Sequence, residues 1–162
     1  MQLPVTFAGG HETNPVDNGR PVVLVASLLG VESAVFRTAF SGVTPAPAGE
    51  DPQGDQVQKN KAALLSVLGP YGVTNEELDA ASNDYRYVAS AGELWNHRDA
   101  SALATVEQGR VTAVTITDPG RGYTSAPTAT ITLPNGATST ATVTVSYTTD
   151  FETNGSLTAI TP

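Results

Sequence analysis

Gly109-Arg110-Val111-Thr112-Ala113-Val114-Thr115 is repeated 46 residues later as Gly155-Ser156-Leu157-Thr158-Ala159-Ile160-Thr161. In both copies a glycine precedes a run rich in β-branched residues, which is typical of a β-strand. Further strand-like sequence follows the first copy, whereas Pro162 follows the second. Because an unpaired strand carries free backbone donors and acceptors, we expect the second copy to add to a sheet, either of its own chain or of a neighbouring subunit.

The two ends of the chain provide the candidate subunit interface. Near the N-terminus, apolar residues alternate at positions 3, 5 and 7, so this run is the natural partner of the terminal strand or a competing edge. In a regular strand, Leu157 and Ile160 lie on opposite faces. The surface that each side chain buries then fixes the register of the strand. The predicted interface residues are Leu3, Val5, Phe7, Leu157 and Ile160.

Between Pro15 and Tyr87 the apolar residues recur at helical spacing, which predicts a bundle of about four short helices. Gly30 is typical of a helix end, and Thr74-Asn75-Glu76-Glu77 has the spacing of a capping box. The Pro-, Ala- and Gly-rich stretch 43–54 predicts a surface loop. The predicted helices span about 21–29, 32–40, 55–68 and 74–83.

From Leu94 onward the apolar period changes to two and Thr becomes frequent, which predicts a small antiparallel sheet of about four or five strands. Pro134-Asn135-Gly136 predicts a tight hairpin, since Asn-Gly accepts the positive φ angles that such turns require. The fold class is therefore α+β, an N-terminal helical bundle followed by a Thr-rich antiparallel β unit. We expect one domain at 1–100, holding the N-terminal strand and the helices, and a second at 101–162. The aromatic and apolar residues expected to pack at their junction are Tyr85, Tyr87, Leu94 and Trp95.

Composition excludes several classes of partner and chemistry. Eight basic residues against sixteen acidic ones give a formal net charge of -8, which disfavours binding to a phosphate backbone. The absence of cysteine excludes disulfides and thiolate metal sites. No apolar run reaches the roughly 18–20 residues that span a bilayer, so we predict no membrane span. Met1 to Gly10 lacks the features of a signal peptide, so export by that route requires that a leader has already been removed.

The motifs of common enzymes are missing from the sequence. The two histidines, His11 and His97, form no His-Glu-x-x-His pair, and no Gly-x-Ser-x-Gly elbow occurs. We therefore predict a non-enzymatic protein that requires no cofactor, and we expect any bound ion to be calcium rather than zinc. Tyr85, Tyr87 and Trp95 form an alternative platform for stacking sugars.

Two sets of oxygen-bearing residues are candidates for calcium binding, because calcium prefers oxygen ligands. The first set lies in the polar loop before the first helix and comprises Glu12, Asn14, Asp17 and Asn18. The second set comprises Asp118, Asp150 and Glu152. The alternative for the first set is an Asx-rich turn that caps the helix, with Arg20 paired to a carboxylate.

The segment from Gly109 through Gly120-Arg121-Gly122-Tyr123-Thr124-Ser125-Ala126-Pro127-Thr128 resembles a repeat found in bacterial surface and secreted proteins and in phage tail-fibre proteins. The resemblance covers about residues 107–161. It implies a spacer or scaffold unit in an extended assembly. The helical part resembles an uncharacterised module of secreted bacterial proteins and brings no catalytic residues with it.

Together these features predict a structural subunit of an extracellular filament or cell-surface assembly that self-associates into a homopolymer by terminal-strand addition. Two alternatives remain open. One is a carbohydrate- or ligand-binding module of a secreted protein, and the other is a structural protein of a phage virion.

Overall fold

The computed structural model describes residues 1–43, 54–88 and 91–162. It divides the chain into two compact units. The sheet unit comprises Met1–Glu12 and His97–Pro162, and the helical unit comprises Thr13–Asn96. The α+β class is confirmed, but this division differs from the expected domains 1–100 and 101–162. The N-terminal segment belongs to the sheet unit because its strands pair there.

The helical unit contains four α-helices at nearly the predicted positions. They are α1 Val22–Leu29, α2 Ser33–Phe40, α3 Gly54–Leu68 and α4 Asn75–Asp84. Gly30 ends α1 in a left-handed conformation at φ 73°, and Thr74 forms the predicted capping box with Glu77. The predicted loop 43–54 falls outside the described residues except at its two ends.

The aromatic residues near the domain boundary are mostly buried. Tyr85 and Trp95 are 3% and 2% exposed, whereas Leu94 is 45% exposed and does not pack as expected. Because two of its three rings are buried, the sugar-stacking platform of Tyr85, Tyr87 and Trp95 is not available on the surface. In the described part of the chain no single helix is long and apolar enough to cross a bilayer; α1 and α2 together have the length and composition but are bent by 105°.

The sheet unit contains two antiparallel sheets instead of the one predicted. Its strands are β1 Gln2–Pro4, β2 Thr6–Ala8, β3 Ser101–Glu107, β4 Arg110–Asp118, β5 Thr128–Thr132, β6 Thr138–Ser146 and β7 Ser156–Thr161. The strand orders are β1-β3-β4 and β2-β5-β6-β7. The N-terminal run passes from one sheet to the other at Val5, whose N–H donates to the carbonyl of Ala102. Because the run changes sheets at this point, the strands form two sheets, and the expectation of a single sheet was wrong.

A shared apolar core joins the two sheets. Ala102 comes from the three-stranded sheet, while Ala129 and Val143 come from the four-stranded sheet. Val5 and Phe7, from the N-terminal run, pack against the same cluster. The sheets therefore form one sandwich whose interior is filled by side chains of this chain.

A β-bulge in β7 corrects the expectation for the terminal strand. Val145 pairs with Leu157 and Thr144 pairs with Ala159, so Thr158 is an extra residue opposite β6. A bulge reverses the alternation of side chains beyond it. Leu157 and Ile160 consequently enter the same core, 2% and 9% exposed, instead of lying on opposite faces.

The terminal copy of the repeat closes a sheet of its own chain, and it lies beside the first copy. β7 is the edge of the four-stranded sheet, and β4, which carries the first copy, is the edge of the three-stranded sheet. The two strands are in contact, and the Leu157 N–H donates to the Pro119 carbonyl over 2.9 Å. We call this contact the β4/β7 seam. The N-terminal run is not the partner of β7, since β2 lies at the opposite edge of that sheet.

The predicted hairpin between β5 and β6 is confirmed, but only one residue of the Asn135-Gly136 pair has a positive φ angle. The Leu133 N–H donates to the Ala137 carbonyl over 2.8 Å and closes a three-residue loop. Within the loop, the Gly136 N–H donates to the Leu133 carbonyl over 2.9 Å, and the Ala137 N–H donates to Oδ1 of Asn135 over 3.0 Å. Gly136 has φ +84°, whereas Asn135 is not among the residues with positive φ. A three-residue loop needs one left-handed residue, and a two-residue type I′ loop needs two.

We expect Gly136→Val to lower the free energy of unfolding by about 1–2 kcal/mol, because a β-branched residue is strained at positive φ. A Cβ at this position would meet nothing within 4 Å, so the cost is purely conformational. Urea unfolding followed by far-UV circular dichroism measures it. Gly136→Asn, which tolerates this conformation better, is the control, and equal losses in both variants would contradict the assignment.

Leu157→Ala tests whether β7 stabilises its own chain. We expect a loss of about 2–5 kcal/mol in the free energy of unfolding, because the side chain is buried in the sandwich core. Ala159→Ser on the same strand is exposed and should change stability by less than about 0.5 kcal/mol. A Leu157→Ala protein as stable as the control would show that the strand does not close this sheet.

Candidate functional site

The segment 119–127 brings two separate parts of the sheet unit together around Tyr123. The Tyr123 ring is 1% exposed, and its hydroxyl accepts a hydrogen bond from the Ala100 N–H over 2.9 Å. The His11 ring stacks on it with centroids 4.9 Å apart and an interplanar angle of 25°. Tyr123 therefore contacts the segment that follows β2, through His11, and the residue that precedes β3, which is Ala100.

Two glycines allow these segments to approach each other. A Cβ on Gly10 would lie 2.6 Å from the Tyr123 ring, and a Cβ on Gly120 would lie 2.6 Å from the Arg98 carbonyl oxygen. Both residues also have positive φ, 90° and 62° respectively. At both positions glycine thus has a steric cause, since any side chain would separate the backbones.

Main-chain hydrogen bonds fix the two approaching segments. The carbonyl of Gly10 accepts from the N–H groups of Thr124 and Ser125 over 2.9 and 3.3 Å. Arg98 and Arg121 exchange two bonds of 3.1 and 3.0 Å. These bonds attach Gly10 and Arg98 to the 119–127 segment. The neighbouring residues of each are thereby held close to that segment.

This arrangement brings together the two histidines of the chain, although no sequence motif links them. The His11 and His97 ring centroids are 4.7 Å apart, and the Asp99 carboxylate lies 3.9 Å from Nε2 of His97. One ligand atom from each of the three residues lies within 4.8 Å of the others. We call these three residues the His/Asp cluster.

The electrostatics of the cluster favour a neutral His11. Burial lowers its pKa below the ordinary value, and the neighbouring His97 lowers it further. The carboxylates of Asp99 and Glu12 act in the opposite direction. Neutral imidazole is the form that accepts protons and ligates metals.

A network of ion pairs involves the side chains of Arg98 and Arg121. Arg98 contacts Asp118 over 3.2 Å and Glu152 over 3.6 Å, and Arg121 also pairs with Glu152. The Gly120 N–H donates to Asp118 over 2.8 Å; this bond, followed by Arg98, lowers the pKa of the carboxyl. Asp150 instead accepts from the Glu152 N–H within its own turn. The second calcium set therefore has its carboxylates directed at arginines and backbone donors.

The first calcium set is likewise engaged in local structure. Glu12 lies in the sheet unit and accepts from the Gly10 N–H and the Ser125 hydroxyl; the Ser125 bond lowers the pKa of its carboxyl. Asn14 caps a one-turn 3-10 helix by accepting from the Val16 N–H, and Asn18 ends that helix with φ 52°. These features agree with the Asx-turn alternative, except that the turn caps this 3-10 helix and not α1, which has no side-chain cap.

Asp17, the remaining member of this set, is 6% exposed and forms a two-point ion pair with Arg37 over 3.0 and 2.9 Å. Arg20 was the cation expected to pair with a carboxylate in this loop. Arg20 instead lies over the Phe40 ring at 3.5 Å and donates to the Asp17 carbonyl. The partner is Arg37 because α2 presents it to the 3-10 helix, a tertiary contact that the local sequence does not reveal.

The predicted interface side chains lie in or near the core of the chain's own sandwich. Val5, Phe7, Leu157 and Ile160 belong to or pack against the shared cluster, and Leu3 is half-buried opposite Ala104. Their side chains therefore stabilise the fold of this chain. β7 and β4 are also the edge strands of the two sheets, and part of the β7 edge is occupied, because the Leu157 N–H is bonded to the Pro119 carbonyl.

We predict that Gly120→Ala destabilises the sheet unit by about 1–3 kcal/mol more than Gly109→Ala. Both glycines have positive φ, so both variants bear a similar conformational cost. At Gly109, however, a Cβ would meet nothing within 4 Å, whereas at Gly120 it would overlap the backbone of Arg98 and Ala100. The midpoint of urea unfolding compares the two, and equal midpoints would contradict the close approach.

Comparison of the chain with models of protein families, with curated proteins and with solved structures gave no match.

Proposed function

We propose that this protein is a non-enzymatic structural subunit of an extracellular or cell-surface assembly, and that copies associate through the outer backbone edges of β4 and β7. The observation that carries the proposal is the β4/β7 seam, where both copies of the repeated sequence are edge strands. An edge strand can pair with another chain through the backbone groups that face away from its own sheet. On β7 the Leu157 N–H is already bonded to the Pro119 carbonyl, so we place the pairing edge of this strand at residues 158–161.

Side-chain burial favours edge pairing over insertion of a donated strand. Leu157 and Ile160 already fill the core of their own sheet, so withdrawing β7 for donation would expose them. Adding a strand to an edge leaves that core intact. Thr158, Ala159 and Thr161 on β7, and Ala113, Thr115 and Thr117 on β4, are exposed.

Pairing of β7 in one copy with β4 in the next is a head-to-tail contact. Such a contact uses two different surfaces, and when the rotation between copies does not close a ring it produces an open filament. The acidic charge of -8 opposes association through mutual repulsion. Screening at about 0.15 M salt reduces that repulsion.

Single lysines test the two edges separately, because a charged lysine on an edge strand opposes strand pairing. We expect the unmodified protein to form filaments in negative-stain microscopy and high-mass species in light scattering. Ala159→Lys on β7 and Ala113→Lys on β4 should each raise the concentration needed for assembly by about ten-fold or more, equivalent to ~1.4 kcal/mol per contact. The matched control is Thr142→Lys, an exposed position on the interior strand β6.

Mixing the two edge variants sharpens the test. Each variant keeps one intact edge, so the mixture should form dimers that neither variant forms alone. A protein that stays monomeric at all concentrations would refute the proposal, and equal effects from the Thr142→Lys control would refute the edge mechanism. Monomers that are retained on a polysaccharide column would favour the ligand-binding alternative.

A further inference from the structure

We propose that the His/Asp cluster of His11, His97 and Asp99 is a binding site for a divalent transition metal ion of the zinc class, in place of the calcium that the sequence led us to expect. The site does not depend on the proposed self-association. All three residues belong to the sheet unit, although 86 residues separate the two histidines in the sequence.

The ligand set suits this class of ion. Imidazole nitrogen and carboxylate oxygen bind Zn²⁺ at about 2.0–2.2 Å, commonly as three protein ligands with a fourth position for water or another ligand. Calcium instead takes about six to eight oxygens. The cluster offers a single carboxylate beside two imidazoles, so it discriminates against calcium.

The distances between the three ligand atoms can reach those of a zinc site through rotation of side chains alone. Ligand atoms of a tetrahedral zinc site lie about 3.3 Å apart, as follows from bonds of about 2.05 Å. The three ligand atoms here lie within 4.8 Å of one another. Asp99 has a side chain that is 81% exposed, so it can rotate towards the histidines at little cost in packing.

The backbone that carries the ligands is already held in place. Gly10 is bonded to the 119–127 segment next to His11, and Arg98 is bonded to Arg121 between His97 and Asp99. Tyr123 supports the His11 ring by stacking. Ligands on a fixed backbone lose less conformational freedom on binding, which favours affinity.

A bound ion would connect the segment after β2 with the segment before β3. A ligand that binds only the folded state stabilises it according to its concentration and affinity. The ion therefore acts as a cross-link in a chain that has no cysteine for disulfides.

Zinc titration of metal-free protein, prepared without a polyhistidine tag, tests the site. Because the chain has two histidines, long-range ¹H–¹⁵N spectra contain two imidazole spin systems. We expect both to shift together and to saturate at one equivalent of Zn²⁺, with a matching calorimetric stoichiometry and a higher melting temperature. Calcium at about 1 mM should shift neither ring, since the site lacks the oxygens that calcium needs.

Two variants and a control decide whether these residues are the ligands. His97→Asn and Asp99→Asn should each weaken zinc binding by about ten-fold or more. Glu107→Gln, which removes an exposed carboxylate of the same unit, should leave it unchanged. Should His97→Asn fail to fold, Asp99→Asn still decides, because its side chain is exposed.

The proposal is overturned if zinc shifts neither ring, if it shifts one ring alone, or if Asp99→Asn binds as tightly as the control. Assembly measured in the presence of a chelator keeps this result separate from the edge-pairing proposal. Filaments that form without metal would show that assembly does not depend on the metal site.

Discussion

Packing around Tyr123 is the constraint on which the sheet unit depends. Its ring occupies the space that a side chain on Gly10 would need, and its hydroxyl binds the backbone at Ala100. The strands on either side, β2 and β3, belong to different sheets. One buried aromatic residue therefore sets the spacing of two segments that are distant in sequence, and with it the position of both histidines.

The local structure of this chain was readable from the sequence, and its long-range pairing was not. Helix ends follow from neighbouring residues, such as Gly30 and the Thr74 to Glu77 capping box, so the helices were placed within one or two residues. Sheet membership depends on partners about a hundred residues away, as for Gln2 and Thr105. The bulge at Thr158 is a further example, because the alternation in the sequence alone predicts the opposite face for Ile160.

The candidate site was likewise not readable from the sequence, because its residues are far apart along the chain. Motif searches look for ligands close in sequence, as in His-Glu-x-x-His, and the His/Asp cluster has no such spacing. In the structure, His11 and His97 lie close to the two limits of the helical unit, Thr13 and Asn96, and local sequence reasoning does not reveal this placement. In contrast, the oxygen-rich loops that suggested calcium satisfy their own backbone donors and arginines, because short polar side chains commonly cap turns.

The interruption of the sheet unit by the helical unit has a consequence for the order of folding during translation. The helical unit is continuous, so all its contacts are available once Asn96 has been synthesised. β1 must wait for β3, and at roughly 5–20 residues per second that delay is on the order of 5–20 s. During this interval the first two strands have no native partner. The ribosome thus presents an apolar, unpaired N-terminal segment that chaperones or a neighbouring nascent chain can reach before its own sheet exists.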